Sequence, residues 1–175
     1  LDVVAGPIIV QAPVEQTVIL GQSVEFGVIA GGSTPLTYQW YKNGVLIEGV
    51  GGDSFGIESA ASADEGSYSV LVLNRGGTVE SDAVLLDVIA PVSISRDLEN
   101  VTVSEGGIAR FSVDVSGTSP ITYQWFYGGS PIDGATDSVY EIGVVAESDR
   151  GVYQVRVSNK GGRVSSAESK LSVSV

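Results

Sequence analysis

Apolar residues recur at every second position along much of this chain. The alternation is clear in Val24–Ala30, Tyr68–Val72 and Val84–Val88, and turn residues interrupt it every eight to twelve positions. A period of two is the pattern of a half-buried β-strand. Several short strands at this spacing predict an all-β protein built as an antiparallel sandwich.

The same pattern occurs twice, at an offset of 85 residues and with no gap. The motif Tyr38–Trp40 recurs as Tyr123–Trp125, and Asn74–Gly77 recurs as Asn159–Gly162. Roughly a third of the paired positions are identical. A unit of this length suits a small autonomous domain and is too long for a solenoid repeat. The repeat therefore predicts two tandem domains, over residues 7–90 and 91–175.

The ends of the repeat extend the prediction upstream. Residues 1–5 match residues 86–90 at the same offset, so residues 1–6 are expected to be the end of a preceding repeat or a cloning boundary. The junction at residues 88–92 contains Pro91 and no Gly or Ser tract. A linker of this kind is expected to restrict hinge motion.

Each repeat contains a tight hairpin signal. Asn43-Gly44 favours a two-residue turn with positive φ at both central positions, and Gly128-Gly129 replaces it in the second copy.

At these motifs the chain resembles the immunoglobulin superfamily, closest to its intermediate, I-set-like type. Each repeat has a strand B pattern, a strand C tryptophan and an Asp-x-Gly-x-Tyr corner before strand F. The resemblance implies two tandem immunoglobulin-like sandwiches. It also implies a set of eight structural core residues: Val28, Trp40, Tyr68, Val70, Val113, Trp125, Tyr153 and Val155.

The chain departs from the family at the inter-sheet disulfide. Valines stand at both cysteine positions, so Val28 is expected to face Val70 and Val113 to face Val155. Loss of the cross-link forgoes about 2–4 kcal/mol. The corner tyrosines are expected to compensate in part by hydrogen bonds from their hydroxyls to backbone upstream, with Gly66 and Gly151 permitting a tight approach. The corner residues Asp64 and Asp149 are then acceptors in a turn.

The sequence motifs of the repeats are similar to those of disulfide-free immunoglobulin-like modules in large secreted or surface proteins of bacteria. Muscle immunoglobulin domains are the second class that the repeats resemble. The resemblance implies an extracellular or cell-surface location and neighbouring immunoglobulin-like repeats in the same chain.

Charge and composition exclude several classes of partner. Asp and Glu number 21 against nine Lys and Arg, a net charge of −12, which disfavours nucleic acid and anionic membrane surfaces. No apolar run approaches the length of a membrane span, so membrane insertion is not expected.

The chain also lacks the residues of most active sites. It has no His and no Cys, so no Ser–His, Cys–His, thiolate or His-ligated metal site can be built. We expect no enzyme activity, no catalytic residue, no cofactor and no metal. The junction offers Asp87, Asp97 and Glu99 without a closely spaced calcium-binding run. Asn100-Val101-Thr102 fits the glycosylation acceptor pattern and is interpreted as a chance match.

One sheet face differs between the copies. On strands C, F and G, the outward positions in the first domain are expected to be Tyr41, Leu71, Leu73, Ala83 and Leu85. Their counterparts are Phe126, Arg156, Ser158, Glu168 and Lys170. A contiguous apolar patch marks a contact surface, so Tyr41, Leu71, Leu73 and Leu85 are the candidate partner-binding residues. The alternative is that a loop covers them or that solvent tolerates them.

Three functional hypotheses remain open at this stage. The first is a non-catalytic structural spacer of a large secreted or cell-surface bacterial protein that supports adhesion or display. The second is a binding module that contacts a protein or a glycan through the C-F-G face of the first domain. The third is a pair of accessory domains of a secreted hydrolase.

Overall fold

The computed structural model describes residues 4–174, and it divides the chain into two compact units, one ending at Ile89 and one beginning at Ala90. The sequence-based boundary was placed one residue later, after residue 90. Both units are all-β sandwiches, as the alternation predicted. In the described part of the chain, helix is confined to two single 3-10 turns, Ser62–Asp64 and Glu147–Asp149.

Domain 1 contains ten short strands. They are β1 (Ile8–Gln11), β2 (Gln16–Ile19), β3 (Val24–Gly27), β4 (Ile29–Gly31), β5 (Thr37–Lys42), β6 (Val45–Leu46), β7 (Ser54–Ile57), β8 (Gly66–Asn74), β9 (Gly77–Glu80) and β10 (Val84–Ile89). One layer has the order β2-β10-β8-β5-β6, with β9 also on β8. The ladders β1–β4 and β3–β7 form the opposing layer.

Domain 2 repeats this arrangement strand for strand. Its strands are β11 (Ser93–Arg96), β12 (Val101–Ser104), β13 (Ala109–Ser112), β14 (Asp114–Ser116), β15 (Thr122–Tyr127), β16 (Ser130–Pro131), β17 (Val139–Ile142), β18 (Gly151–Asn159), β19 (Gly162–Ser165) and β20 (Ser169–Ser174). All pairings are antiparallel except one in each domain: β10 runs parallel to β2, and β12 parallel to β20.

Each domain has its own core between the two layers. The eight residues expected in the cores are all buried, none more than 7% exposed. Val28 and Val70 belong to one cluster with Trp40, and Val113 and Val155 to the other with Trp125. Apolar packing therefore occupies the positions where the family places its disulfide. Full burial of a side chain of this size contributes about 1.5–3 kcal/mol.

The polar atoms within these cores are satisfied. The Trp40 indole N–H donates to the Gly52 carbonyl at 3.0 Å, and that of Trp125 to Asp137 at 2.8 Å. In the segment between β9 and β10, the Ser81 hydroxyl accepts a hydrogen bond from the N–H of Val70 at 3.1 Å. Within residues 4–174, no buried side-chain nitrogen or oxygen lacks a partner, which suits a low-dielectric interior.

The tyrosine corner has the predicted geometry in both domains. The Tyr68 hydroxyl donates to the Asp64 carbonyl at 2.7 Å, and the Tyr153 hydroxyl to the Asp149 carbonyl at 2.9 Å. Each Asp side chain accepts from a backbone N–H three residues upstream at 2.8 Å. The prediction that these carboxylates are turn acceptors is confirmed.

The hairpin prediction is also confirmed. Asn43 and Gly44 have φ of 50° and 78°, and Gly128 and Gly129 have 55° and 81°. Positive φ at both central positions is the requirement of the expected turn.

Candidate interaction surface

The predicted partner-binding residues lie on the sheet face opposite to the core, but they do not form one contiguous surface. Leu71 pairs with Gln39 on one side and Glu80 on the other. Leu85 pairs with Ser67, four residues further along β8, which is about 13 Å at the rise of a strand. Ser69 lies between these rows, and its hydroxyl donates to the Glu80 carboxylate at 3.1 Å.

Exposure varies across the same four residues. Tyr41, Leu71 and Leu73 are half-buried, and Leu85 is 53% exposed. The Tyr41 hydroxyl donates to the Gln39 side chain at 3.1 Å. Leu71 and Leu73 are neighbours on one face of β8, whereas Leu85 stands apart from them.

The second domain covers the equivalent face with charge. The Arg156 guanidinium lies over the Phe126 ring, 4.8 Å from its centroid, an arrangement that favours a cation over the ring. The sequence-based contrast between the two C-F-G faces is therefore a contrast between separate aliphatic residues and a capped aromatic ring.

A sharper difference lies on the opposite layer, at positions that the sequence analysis did not single out. In domain 1, Ile8, Val10 and Ile29 are 60%, 66% and 55% exposed. Ile8 pairs with Gly31, and a Cβ added at Gly31 would lie 3.3 Å from Ile8 and 3.7 Å from Val10. These three aliphatic residues, with Gly31 between them, are called the A–B strip below.

Domain 2 has polar residues at every equivalent position. Ser93, Ser95 and Asp114 replace the three aliphatic residues. The Ser93 hydroxyl lies 2.8 Å from that of Ser116, and Arg96 forms an ion pair with Asp114 at 2.7 Å. The offset of 85 residues, applied to the outward positions of strands A and B, would have found this contrast from the sequence.

Ion pairing shifts the titration of this polar face. The hydrogen bond from Arg96, supported by its positive charge, lowers the pKa of Asp114, and the same bond raises the pKa of Arg96. Both side chains are more than half exposed, so solvent screens the pair and its effect on stability is small.

A third difference lies where the hairpin between β5 and β6, or between β15 and β16 in domain 2, meets the tyrosine corner. In domain 1, the Lys42 ammonium donates to the Ala63 carbonyl and lies 5.8 Å from the centroid of the Tyr68 ring. In domain 2, the equivalent Tyr127 donates to the Arg150 carbonyl at 3.0 Å, with its ring centroid 5.0 Å from that of Tyr153.

The corner glycines accommodate these hairpin residues. A Cβ at Gly66 would lie 2.7 Å from the Asn43 amide oxygen, and one at Gly151 would lie 2.5 Å from the Tyr127 ring. The tight approach expected at Gly66 and Gly151 therefore involves the hairpin side chains of Asn43 and Tyr127.

Burial changes the acidity of the corner tyrosines. Desolvation, followed by the nearby Asp64, raises the pKa of Tyr68. Desolvation also raises the pKa of Tyr153, with further contributions from Asp149, Tyr140 and Tyr127. Both hydroxyls remain donors at neutral pH, consistent with a structural role.

The described residues contain no group of metal ligands and no helix suited to span a membrane. Between residues 4 and 174, no group of three or more Asp or Glu side chains could hold a metal ion. The Asp97 carboxylate instead accepts from the N–H groups of Leu98 and Ala167 at 2.8 and 2.9 Å. In the same span, no helix has the length and apolar character needed to cross a bilayer.

Family comparisons agree with this architecture. Residues 92–175 match the immunoglobulin I-set domain, and residues 7–74 match the immunoglobulin domain. Each half of the chain therefore belongs to the immunoglobulin family.

Curated relatives are similar over much of the chain. Muscle M-line assembly protein unc-89 of Caenorhabditis elegans is 25% identical over 92% of the chain, and hemicentin-2 of Mus musculus is 27% identical over 100% of it. The Mus musculus protein called cell adhesion molecule-related/down-regulated by oncogenes is 32% identical over 55%. The chain spans only 2%, 4% and 8% of the lengths of these three relatives.

Solved structures show the same fold. An I-band fragment of titin has a TM-score of 0.77 at 22% identity and covers 97% of this chain, which spans 66% of the fragment. Immunoglobulin domains 1–4 of Sidekick-1 have a TM-score of 0.85 at 23% identity, covering 98% of this chain and 50% of theirs. These relatives are named as muscle, adhesion and immunoglobulin-domain proteins, and the family likeness supports a structural or adhesion module.

Proposed function

We propose that the chain is a non-catalytic spacer within a longer multidomain protein at the cell surface or outside the cell, where it supports adhesion or display. The observation that carries the proposal is the closure of each sandwich on its own core. The last strand of domain 1 ends at Ile89, and the next unit begins at Ala90 without intervening residues. Such units add length to a protein without adding chemistry.

The source and compartment belong to the same proposal. The sequence motifs of the repeats, including the stretch Tyr38–Gly44, support a bacterial secreted or surface protein as the source. The relatives described above are animal proteins. Valine at all four cysteine positions fits a chain that folds without oxidation.

A domain exchange in the longer protein tests the spacer role. The two domains are replaced by two immunoglobulin domains of unrelated sequence and equal length, or they are deleted. The readout is display of the outermost module, measured by antibody accessibility and by adhesion of cells that express the protein. A spacer predicts that exchange preserves both readouts and that deletion lowers both. Loss on exchange, or no change on deletion, overturns the proposal.

The second candidate is a binding module on the C-F-G face of domain 1. It is favoured by the exposure of Leu85 and by the adjacent side chains of Leu71 and Leu73 on β8. Its test uses Leu71→Ser with Leu85→Ser, and Ser158→Ala in domain 2 as the matched control. Binding to a glycan array or in a pull-down should fall for the double variant and persist for the control. Unchanged binding in the double variant contradicts this candidate.

A further inference from the structure

Strand β1 lies at the edge of its sheet, and it has an apolar outer face. Within the described residues, β1 pairs only with β4, so its other edge presents backbone N–H and C=O groups to solvent. An exposed and uncharged edge strand is a template for pairing with another strand. Ile8 and Val10 point to the outer face of this edge, next to Ile29.

The equivalent edge of domain 2 is protected against such pairing. Strand β11 carries Arg96, paired with Asp114 across the ladder, and serines occupy its outward positions. A second ion pair on the same layer joins Arg110 to Glu141 at 3.4 Å. Charges at an edge are one protection against association, and β1 lacks them. Its length of four residues, its bulge between Ile9 and Gln11 and the flanking Pro7 and Pro13 still limit the ladder that it can form.

Charge indicates which partner the edge fits. The chain carries a net charge of −12, so two copies repel each other over most of their surface. No charged residue occurs between Asp2 and Glu15, so two β1 strands can approach with no like charge opposed. A second copy of this chain is accommodated at this edge and disfavoured at the acidic surfaces.

The strand is also complementary to itself. β1 is bulged between Ile9 and Gln11 where it pairs with β4, and Ile8 and Val10 both lie beside Gly31 on its outer face. In an antiparallel pair of two copies centred on Ile9, the Ile8 side chain of one copy would lie opposite Val10 of the other. The two-fold axis then repeats the contact, and Ile29 of each copy flanks the cluster. This is an isologous contact, closed at two copies, and aliphatic cross-strand pairs of this kind stabilise a sheet.

We propose that domain 1 self-associates through antiparallel pairing of β1 in two copies, with the A–B strip forming the contact. One four-residue strand and three side chains bury far less than the ~1,000 Å² of a stable interface. The dimer is therefore weak in the isolated chain and gains strength where many copies are held together on a surface. The inference is independent of the proposed spacer role, because it concerns only domain 1 in solution.

Domain 2 provides the matched variant for the test. Ile8→Ser, Val10→Ser and Ile29→Asp install in domain 1 the residues found at the same positions of domain 2. Sedimentation equilibrium up to about 1 mM protein, the scale of a weak association, should show a concentration-dependent mass for the parent chain and a monomer for the triple variant. Circular dichroism spectra and melting temperatures should match, which separates loss of contact from loss of fold. A monomeric parent at these concentrations, or association that persists in the triple variant, overturns the proposal.

Cysteine cross-linking tests the register. The chain contains no Cys, so single Cys variants give unambiguous products. Directly opposite Cα atoms in an antiparallel pair lie about 4.5–5.5 Å apart, within the range that a disulfide spans. An equimolar mixture of Ile8→Cys and Val10→Cys should form a mixed dimer several-fold faster than either variant forms its own dimer. Equal rates for the three products overturn the register centred on Ile9.

Discussion

The two domains hold the same corner of the same fold with different chemistry. Lys42 in domain 1 and Tyr127 in domain 2 occupy equivalent positions, and each donates a hydrogen bond to the backbone near the tyrosine corner. One lies beside the corner ring as a cation, and the other packs against it as an aromatic ring. The two domains therefore share a donor at this position and differ in its chemical type.

The two corners exclude a side chain at their glycines for different reasons. At Gly151 the obstacle to a side chain is the Tyr127 ring, whereas Gly66 has φ of +149° and meets the Asn43 amide. The first constraint is a local contact, and the second includes the backbone conformation itself. Identical residues in a repeat can therefore be kept for different physical reasons.

The largest expected effect tests whether the two cores are separate. Trp125→Ala removes a side chain with no exposed surface and should destabilise domain 2 by about 3–5 kcal/mol. Each domain has one Trp, so Trp40 fluorescence in this variant reports domain 1 alone and should keep its urea midpoint. Trp40→Ala is the mirror control. A shifted urea midpoint of the remaining Trp in either variant shows that the cores are coupled.

A smaller effect separates the two corner glycines. Gly151→Ala should cost domain 2 about 1–3 kcal/mol by overpacking against the Tyr127 ring. Tyr127→Lys, which installs the domain 1 residue, should relieve most of that cost in the double variant. Gly66→Ala should stay destabilised when combined with Asn43→Gly, because its positive φ remains. The measurement is urea unfolding of each single and double variant, in which the transition of the affected domain should move and that of the other domain should stay in place.

Two other outcomes of these double-variant comparisons would contradict the reasons given for the glycines. If Tyr127→Lys leaves the Gly151→Ala cost unchanged, ring contact is not the reason for glycine there. If Asn43→Gly rescues Gly66→Ala, the side-chain contact outweighs the backbone at that corner.

The smallest effect distinguishes the corners by pH. Tyr153→Phe and Tyr68→Phe each remove a hydroxyl donor and should cost about 1 kcal/mol near neutrality. The pKa of each tyrosine is raised by folding, so its contribution is complete below the unfolded pKa of about 10 and is lost as the pH rises above that value. The parent should therefore lose stability above about pH 10, and each Phe variant should lose less in its own domain.

Urea midpoints of the parent and of both Phe variants, measured from about pH 8 to 11, test this loss. An equal alkaline loss in the parent and in both Phe variants would contradict the assignment to the corner tyrosines.

Much of the fold could be predicted because its signals are local. The hairpin at Asn43-Gly44, the burial of Trp40 and the bond from Tyr68 to the Asp64 backbone all follow from short motifs, and the structure has each of them. The candidate surface was predicted less well. Alternation places Leu71 and Leu85 on one face, but it does not say that Glu80 and Ser69 lie between them.

The A–B strip is a second surface that alternation alone does not predict. Ile29 is distant in sequence from Ile8 and Val10, and its proximity to them depends on the pairing of β1 with β4. Only that pairing shows that they share a face and that the edge of β1 is unpaired.

The sequence by itself determined that this protein is two tandem β-sandwiches closed by hydrophobic side chains without disulfides, and its motifs carried the resemblance to the immunoglobulin family. A period of two and an offset of 85 residues are properties of the linear chain. Only the tertiary structure decided which outward residues are neighbours, because strand order and register bring together residues that are distant in sequence. The surfaces by which this protein meets others are therefore a property of its strand pairing.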